Sequence, residues 1–235
     1  MSQAREVTNL AAHSTGIHHD HPKGLAHQFL DLGQQTDTTT FGMWLFLAQE
    51  IMFFGGLFFT YSLYRSEMPE SFAAASGHLD IFLGGFNTVV LILSSLTMAL
   101  GVRSAQLGNN KRLLRWLFAT FMLGNTFLLV KYFEYSSKFE HHLVPGYNFA
   151  WPVAGEAKGA EMFYCLYFAM TGMHALHMVV GGGLLIYFMR RAMKNHFHPH
   201  YYGPVEIMGL YWHFVDIVWI FLFPLLYLIG LHLHH

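Results

Sequence analysis

Charge is what this sequence has least of. Only 11% of its 235 residues are Asp, Glu, Lys or Arg, less than half of the roughly 25% found in soluble domains, so lipid has to be considered as the solvent. There is no long basic run and no acidic tail, which removes a nucleic-acid surface and a charged interaction arm. The lone cysteine, Cys165, excludes an internal disulfide framework and a thiolate cluster holding zinc or iron and sulfur. No self-similarity recurs at a period of about 20 to 50 residues, which excludes solenoids and propellers. The polar, His-rich first forty residues lack the apolar stretch and small-residue cleavage site of a secretory signal, so Met1 is expected to be the mature start.

What is present is apolar and aromatic: 54% hydrophobic residues, 17% of the chain being Phe, Trp or Tyr. About 20 apolar residues in helix cross a hydrocarbon core of roughly 30 Å. Five segments meet that test: Phe41 to Tyr64, Leu79 to Val102, Leu113 to Tyr132, Met162 to Met189 and Val205 to Ile229. Their glycines would weaken helices in water but let helix backbones approach in lipid. The runs are continuous and more than twice the length of a barrel strand, so a transmembrane barrel fails. The fold class expected is all-α, an integral membrane bundle of five transmembrane helices over residues 41–232, preceded by a polar cytoplasmic segment, 1–40. With the N-terminus cytoplasmic and the C-terminus periplasmic, nine of the 13 Lys and Arg residues fall inside, against Arg65, Lys131, Lys138 and Lys158 outside, as the positive-inside bias requires. Residues 140–159 then form the longest external loop, with Tyr147 and Trp151 suited to the headgroup layer.

Polar groups at membrane depth are the candidate functional residues. In "WLFLAQEIMFFGGLFF", Glu50 lies about nine residues into the first span, roughly 14 Å deep at 1.5 Å per residue. Burial favours its neutral form, donating to a neighbouring helix unless a cation or water reaches it; it reads either as a proton or lipid-associated site or as a structural acid. Phe46, Phe53 and Phe54 share its side of the helix and read as packing. His174 and His177, three apart in "MTGMHALHMVVGGG", could bind haem or metal only with further inward-facing histidines, and His213 alone qualifies; hydrogen bonds between helices or to a lipid headgroup are the ordinary alternative. His213 and Asp216 are spaced to pair, as a structural couple or a proton relay, and Glu134 follows Lys131 by three, as in a structural salt bridge. Asn87, Thr88, Ser94, Ser95, Thr97, Asn125 and Thr126 supply short interhelical hydrogen bonds. Arg190, Arg191, Lys194 and His196 form an electrostatic seat for anionic headgroups, or simply serve the positive-inside bias. The terminal histidines (His13, His18, His19, His21, His27, His232, His234 and His235) match no ligand spacing.

"FLAQEIMFFGGLFF", "NTVVLILSSLTMALG", "KYFEY", "FAMTGMHALHMVVGG" and "EIMGLYWHFVDIVWIFLFPLLYL" together resemble subunit III of the haem-copper cytochrome c oxidases, over Thr39 to Gly230. The resemblance implies a non-catalytic subunit of a cytochrome c oxidase complex, part of an oxygen-reducing, proton-translocating respiratory enzyme, in a bacterial cytoplasmic membrane. It implies no cofactor on this chain, with haem and copper in partner subunits, and structural phospholipids in a cleft. Subunit I is the main partner, with subunit II and small subunits as further neighbours, and no nucleic acid. Glu50 matches the family's intramembrane glutamate near those lipids, His177 a headgroup-contacting histidine, and Arg191, Lys194 and His196 its basic lipid-holding positions. The longest family members have two further spans at the start, replaced here by the polar segment. Subunit III of a quinol oxidase and an accessory protein of nitric oxide reductase are the neighbouring readings. An autonomous proton-coupled transporter is the distant one, for which no inverted repeat or broken helix is found.

Overall fold

The computed structural model describes residues 28, 31–146, 149–153, 155–199 and 201–230; Tyr147, the terminal histidines and nearly all of the segment before residue 31 lie outside the described residues. Six helices occupy them: α1 Leu32–Glu67, α2 Pro69–Ser76, α3 Ile81–Gln106, α4 Asn110–Glu140, α5 Ala157–Met193 and α6 Gly203–Tyr227. All but α2 are long and apolar enough to cross a membrane, and no strand is present among the described residues. The five expected spans are all found.

The helices overrun the apolar windows because hydropathy marks only what must sit in hydrocarbon, whereas the helix continues where water and headgroups satisfy its ends. α1 starts at Leu32, well before Phe41, and Asp31 receives the Gln34 backbone N–H at 2.6 Å. α4 runs past Tyr132 to Glu140. The unanticipated α2 is announced locally by Pro69 at its first turn and Glu70 beside its N-terminus, both of which suit a helix start.

The chain divides into two compact units after Thr39. In the second, α3, α4, α5 and α6 pack as a closed ring, each against two of the others, and α2 packs on α5. Side-chain caps fix two ring helices at their starts: Asp80 receives the Phe82 and Leu83 N–H groups, and Asn109 that of Arg112. Trp212, 1% exposed, fills the middle of the ring. Its indole N–H donates to Ser94 on α3 at 2.9 Å. A Cβ placed on Gly181 of α5 would lie 2.9 Å from its ring and one on Gly124 of α4 3.1 Å, so any side chain at Gly181 would push the ring aside and one at Gly124 would crowd it. The segment of α1 after Thr39 leans on this ring through large side chains: Phe46 against Tyr211, Phe54 against Phe214, and the Tyr61 hydroxyl donating to the Leu225 carbonyl at 2.8 Å.

Candidate functional site

Glu50 stands near the midpoint of α1 and is 8% exposed. Its Oε2 lies 3.2 Å from His177 Nε2 on α5, a partner 127 residues away that sequence spacing could not reveal. His177 Nδ1 meets the Met173 carbonyl at 2.8 Å. A carbonyl only accepts, so Nδ1 carries a hydrogen and the Glu50–His177 contact holds one proton, as a carboxyl donating to bare nitrogen or as an ion pair. Both ring nitrogens are therefore engaged within the chain. The Tyr211 hydroxyl donates to the His177 carbonyl at 2.9 Å, and the Phe54 ring lies 5.5 Å from the imidazole, so α1, α5 and α6 meet at this point. Phe54 and Phe46 pack as expected; Phe53 touches Phe54 but is 44% exposed.

Beside the pair, Phe46, Leu176, His177, Val180, Leu184 and Tyr211 line an apolar cavity of about 390 Å³. Following α5 from His177 to Arg191 covers fourteen residues, about 21 Å of rise, so His177 lies a lipid tail's length from the basic end, with Leu184 of the same cavity about halfway. There the Arg191 guanidinium lies over the Tyr187 ring at 5.2 Å, and the chain turns through Lys194 and Asn195, the latter at φ 50. His196 packs its ring edge-on against Tyr201 at 5.6 Å. Loss of hydration, then the Arg191 charge and then His198, hold the His196 imidazole below its ordinary range. The positive charge of the seat at neutral pH therefore comes from arginine and lysine, with His196 as a neutral hydrogen-bonding group.

The second polar centre is a closed one. Lys131 Nζ donates to Glu134 Oε2 at 2.8 Å and to the Tyr227 hydroxyl. Glu134 Oε1 accepts from Tyr167 at 3.0 Å and from Tyr227 at 2.6 Å. Lys131 also faces the Trp219 ring at 4.6 Å. Both charged residues are at most 4% exposed; the expected salt bridge is thus buried, and its tyrosine partners come from α5 and α6. Glu134 fastens three ring helices rather than one.

The remaining span residues divide. His174, 1% exposed, packs against the touching rings of Phe127 and Trp219, with no hydrogen bond to either nitrogen. His213 and Asp216 do not pair: His213 Nδ1 turns to the Ser95 hydroxyl of α3 at 2.6 Å, a partner nearer than the carboxylate one turn along. Asp216 is 3% exposed, and its carboxyl lies near the same Ser95 hydroxyl without forming a well-aligned hydrogen bond to it. The three span histidines therefore face three different settings. Of the short polar residues, Ser94, Ser95 and Thr88 bond α6, and Thr97 bonds Thr120 across to α4. Asn125 and Thr126 bond back to their own helix at Phe121 and Met122, and Asn87 is unbonded.

Comparison with known proteins places the chain in a family. The family described as Cytochrome c oxidase subunit III matches residues 30–231. Cytochrome c oxidase subunit 3 of Synechocystis sp. is 33% identical over 213 residues, 90% of this chain and 78% of the relative. The protein of the same name from Corynebacterium diphtheriae is 34% identical over 190 residues, 80% and 86% of the two chains. The Cytochrome bo(3) ubiquinol oxidase subunit 3 of Pseudomonas putida is 32% identical over 204 residues, 85% and 88% of the two. With five apolar helices, a match across nearly the whole helical region and relatives above 30% identity, the chain belongs to the cytochrome c oxidase subunit III family, as a multi-pass subunit of an oxidoreductase complex.

Proposed function

We propose that this chain is a non-catalytic brace for oxidase subunit I, that it holds phospholipid along α5, and that it supports the proton uptake of that subunit. Haem and copper are assigned to partner subunits, subunit II and small subunits are taken as further neighbours, and the setting is a bacterial cytoplasmic membrane with the N-terminus inside. Residues 41–232 act as one transmembrane domain behind the cytoplasmic segment. Cytochrome c is the proposed electron donor, following the family and the cyanobacterial relative; a quinol is the second reading, favoured by the Pseudomonas putida relative. An optical spectrum and subunit list of the purified complex separate the two.

The observation carrying this reading is the Glu50–His177 contact of 3.2 Å beside an apolar cavity whose lining along α5 stops at Leu184, about two turns before the basic residues Arg191 and Lys194. A phospholipid whose phosphate meets that basic end lays its acyl chains along Leu184 and Val180 and brings them to His177. Glu50 then fastens α1 to α5 on the lipid side, spending its one proton on His177. Glu50→Gln keeps a donor for Nε2, so the complex should assemble and consume oxygen near the wild-type rate. Glu50→Leu orphans Nε2 and should loosen α1 by about 1–3 kcal/mol, read as earlier loss of the subunit on detergent titration. A steep fall in proton uptake by an intact Glu50→Gln complex would reassign the residue from fastening to proton carrier. At the basic end, anionic-lipid retention should stay level above neutral pH and rise as the pH falls through the depressed His196 range, because protonation there adds a positive charge; retention that falls on acidification would remove His196 from the seat.

A further inference from the structure

The edge of the ring formed by α3 and α4 carries a second basic site. Arg103 in the last turn of α3, and Arg112 and Arg115 in the opening turns of α4, converge on one cavity of about 500 Å³, whose walls include Leu100, Leu107 and Trp116. The turn between the helices is tight. Gly108 adopts φ +70, where a Cβ would lie 3.0 Å from Pro199, and Asn110 donates to the Phe197 carbonyl at 2.8 Å, so the loop after α5 braces this turn from outside.

Positive-inside bias explains why arginines lie at this end; it does not explain their convergence. Arg103 complements the C-terminal end of its helix dipole, but Arg112 and Arg115 sit at the positive end of theirs, where a cation is disfavoured. Among the described residues none of the three makes an ion pair with an acid. Three exposed guanidiniums, without an acid partner among the described residues, line this one cavity and offer an anion a seat, and their planar donors match phosphate oxygens in pairs. The leucine and tryptophan walls reach towards the apolar part of the helices, where a free phosphate gains nothing and an acyl chain does.

We propose that this cavity binds the phosphate of an anionic phospholipid, separately from the Arg191 and Lys194 seat. It is tested on the intact oxidase complex, exchanged into vesicles of phosphatidylglycerol and phosphatidylcholine, with bound lipid counted by native mass spectrometry after mild extraction. The wild type retains phosphatidylglycerol in preference to phosphatidylcholine. Each Arg→Gln change at 103, 112 or 115 lowers that retention roughly fivefold, Arg→Lys restores part of it, and the loss adds to that of Arg191→Gln with Lys194→Gln instead of replacing it. Size exclusion and an unchanged thermal transition show that each variant complex is intact; if the triple Gln variant does not assemble, the single variants and the Lys triple carry the test. The site falls if the intact Gln variants retain as much phosphatidylglycerol as the wild type, or if phosphatidylcholine is held equally well. Displacement by inorganic phosphate alone as readily as by phosphatidylglycerol makes it a free-anion site and overturns the lipid assignment.

Discussion

Glu134→Ala is expected to cost about 3–5 kcal/mol, because it leaves the Lys131 ammonium buried without its counter-charge. The residue accepts hydrogen bonds from Lys131, Tyr167 and Tyr227, so the change strands donors on three helices at once. In lipid no water replaces the lost acceptor, and the unfolded reference gains little from extruding the helix. Thermal denaturation of the purified complex in detergent, followed by release of this subunit, measures the effect. The double change Lys131→Met with Glu134→Leu removes both charges and should be milder than Glu134→Ala alone. A Glu134→Ala complex that denatures within about 0.5 kcal/mol of the wild type, the range of an ordinary surface change, would show that Lys131 finds another anion and that the cluster does not hold the ring.

Trp212→Ala is the other large loss, again about 3–5 kcal/mol, as for aromatic truncations in packed cores. The indole is enclosed by Gly124, Gly181 and Ser94. Since lipid tails are as apolar as the protein interior, what is lost is packing and cavity energy more than transfer from water. Trp212→Phe keeps most of the ring but not the N–H, and should cost nearer 1 kcal/mol. The same denaturation measurement ranks the two. Equal losses for Phe and Ala would mean that the Ser94 hydrogen bond, not the filling of space, is what the ring needs.

The spans were legible because an apolar run of the right length has few other meanings in a chain so poor in charge. Their true ends were not, since water and headgroups let a helix continue through polar residues such as those from Leu32 to Thr40. At the candidate site, each polar residue could be picked out one by one from its depth, but partnerships could be read only at short spacing. That rule identified Lys131 with Glu134 and led astray for His213 with Asp216, because Ser95 on another helix competes for the imidazole. Glu50 with His177, and Glu134 with its two tyrosines, join residues from 33 to 127 positions apart, which no local pattern encodes. The arginine cavity was hidden for a different reason. Its residues had already been accounted for as topological signals, and only the Gly108 turn shows that they face one space.

The order of the ring also bears on how the subunit is made. α3 pairs with α6 through Ser94, Ser95 and Thr88, and the helices synthesised between them cannot substitute for that contact. During translation, α3, α4 and α5 therefore enter the bilayer as an unclosed array with their hydroxyls and the Gly124 and Gly181 notches unfilled. Only the arrival of α6 locks it. A ribosome halted before Trp212 would release a polypeptide that is inserted but never sealed, the kind of product that membrane proteases clear.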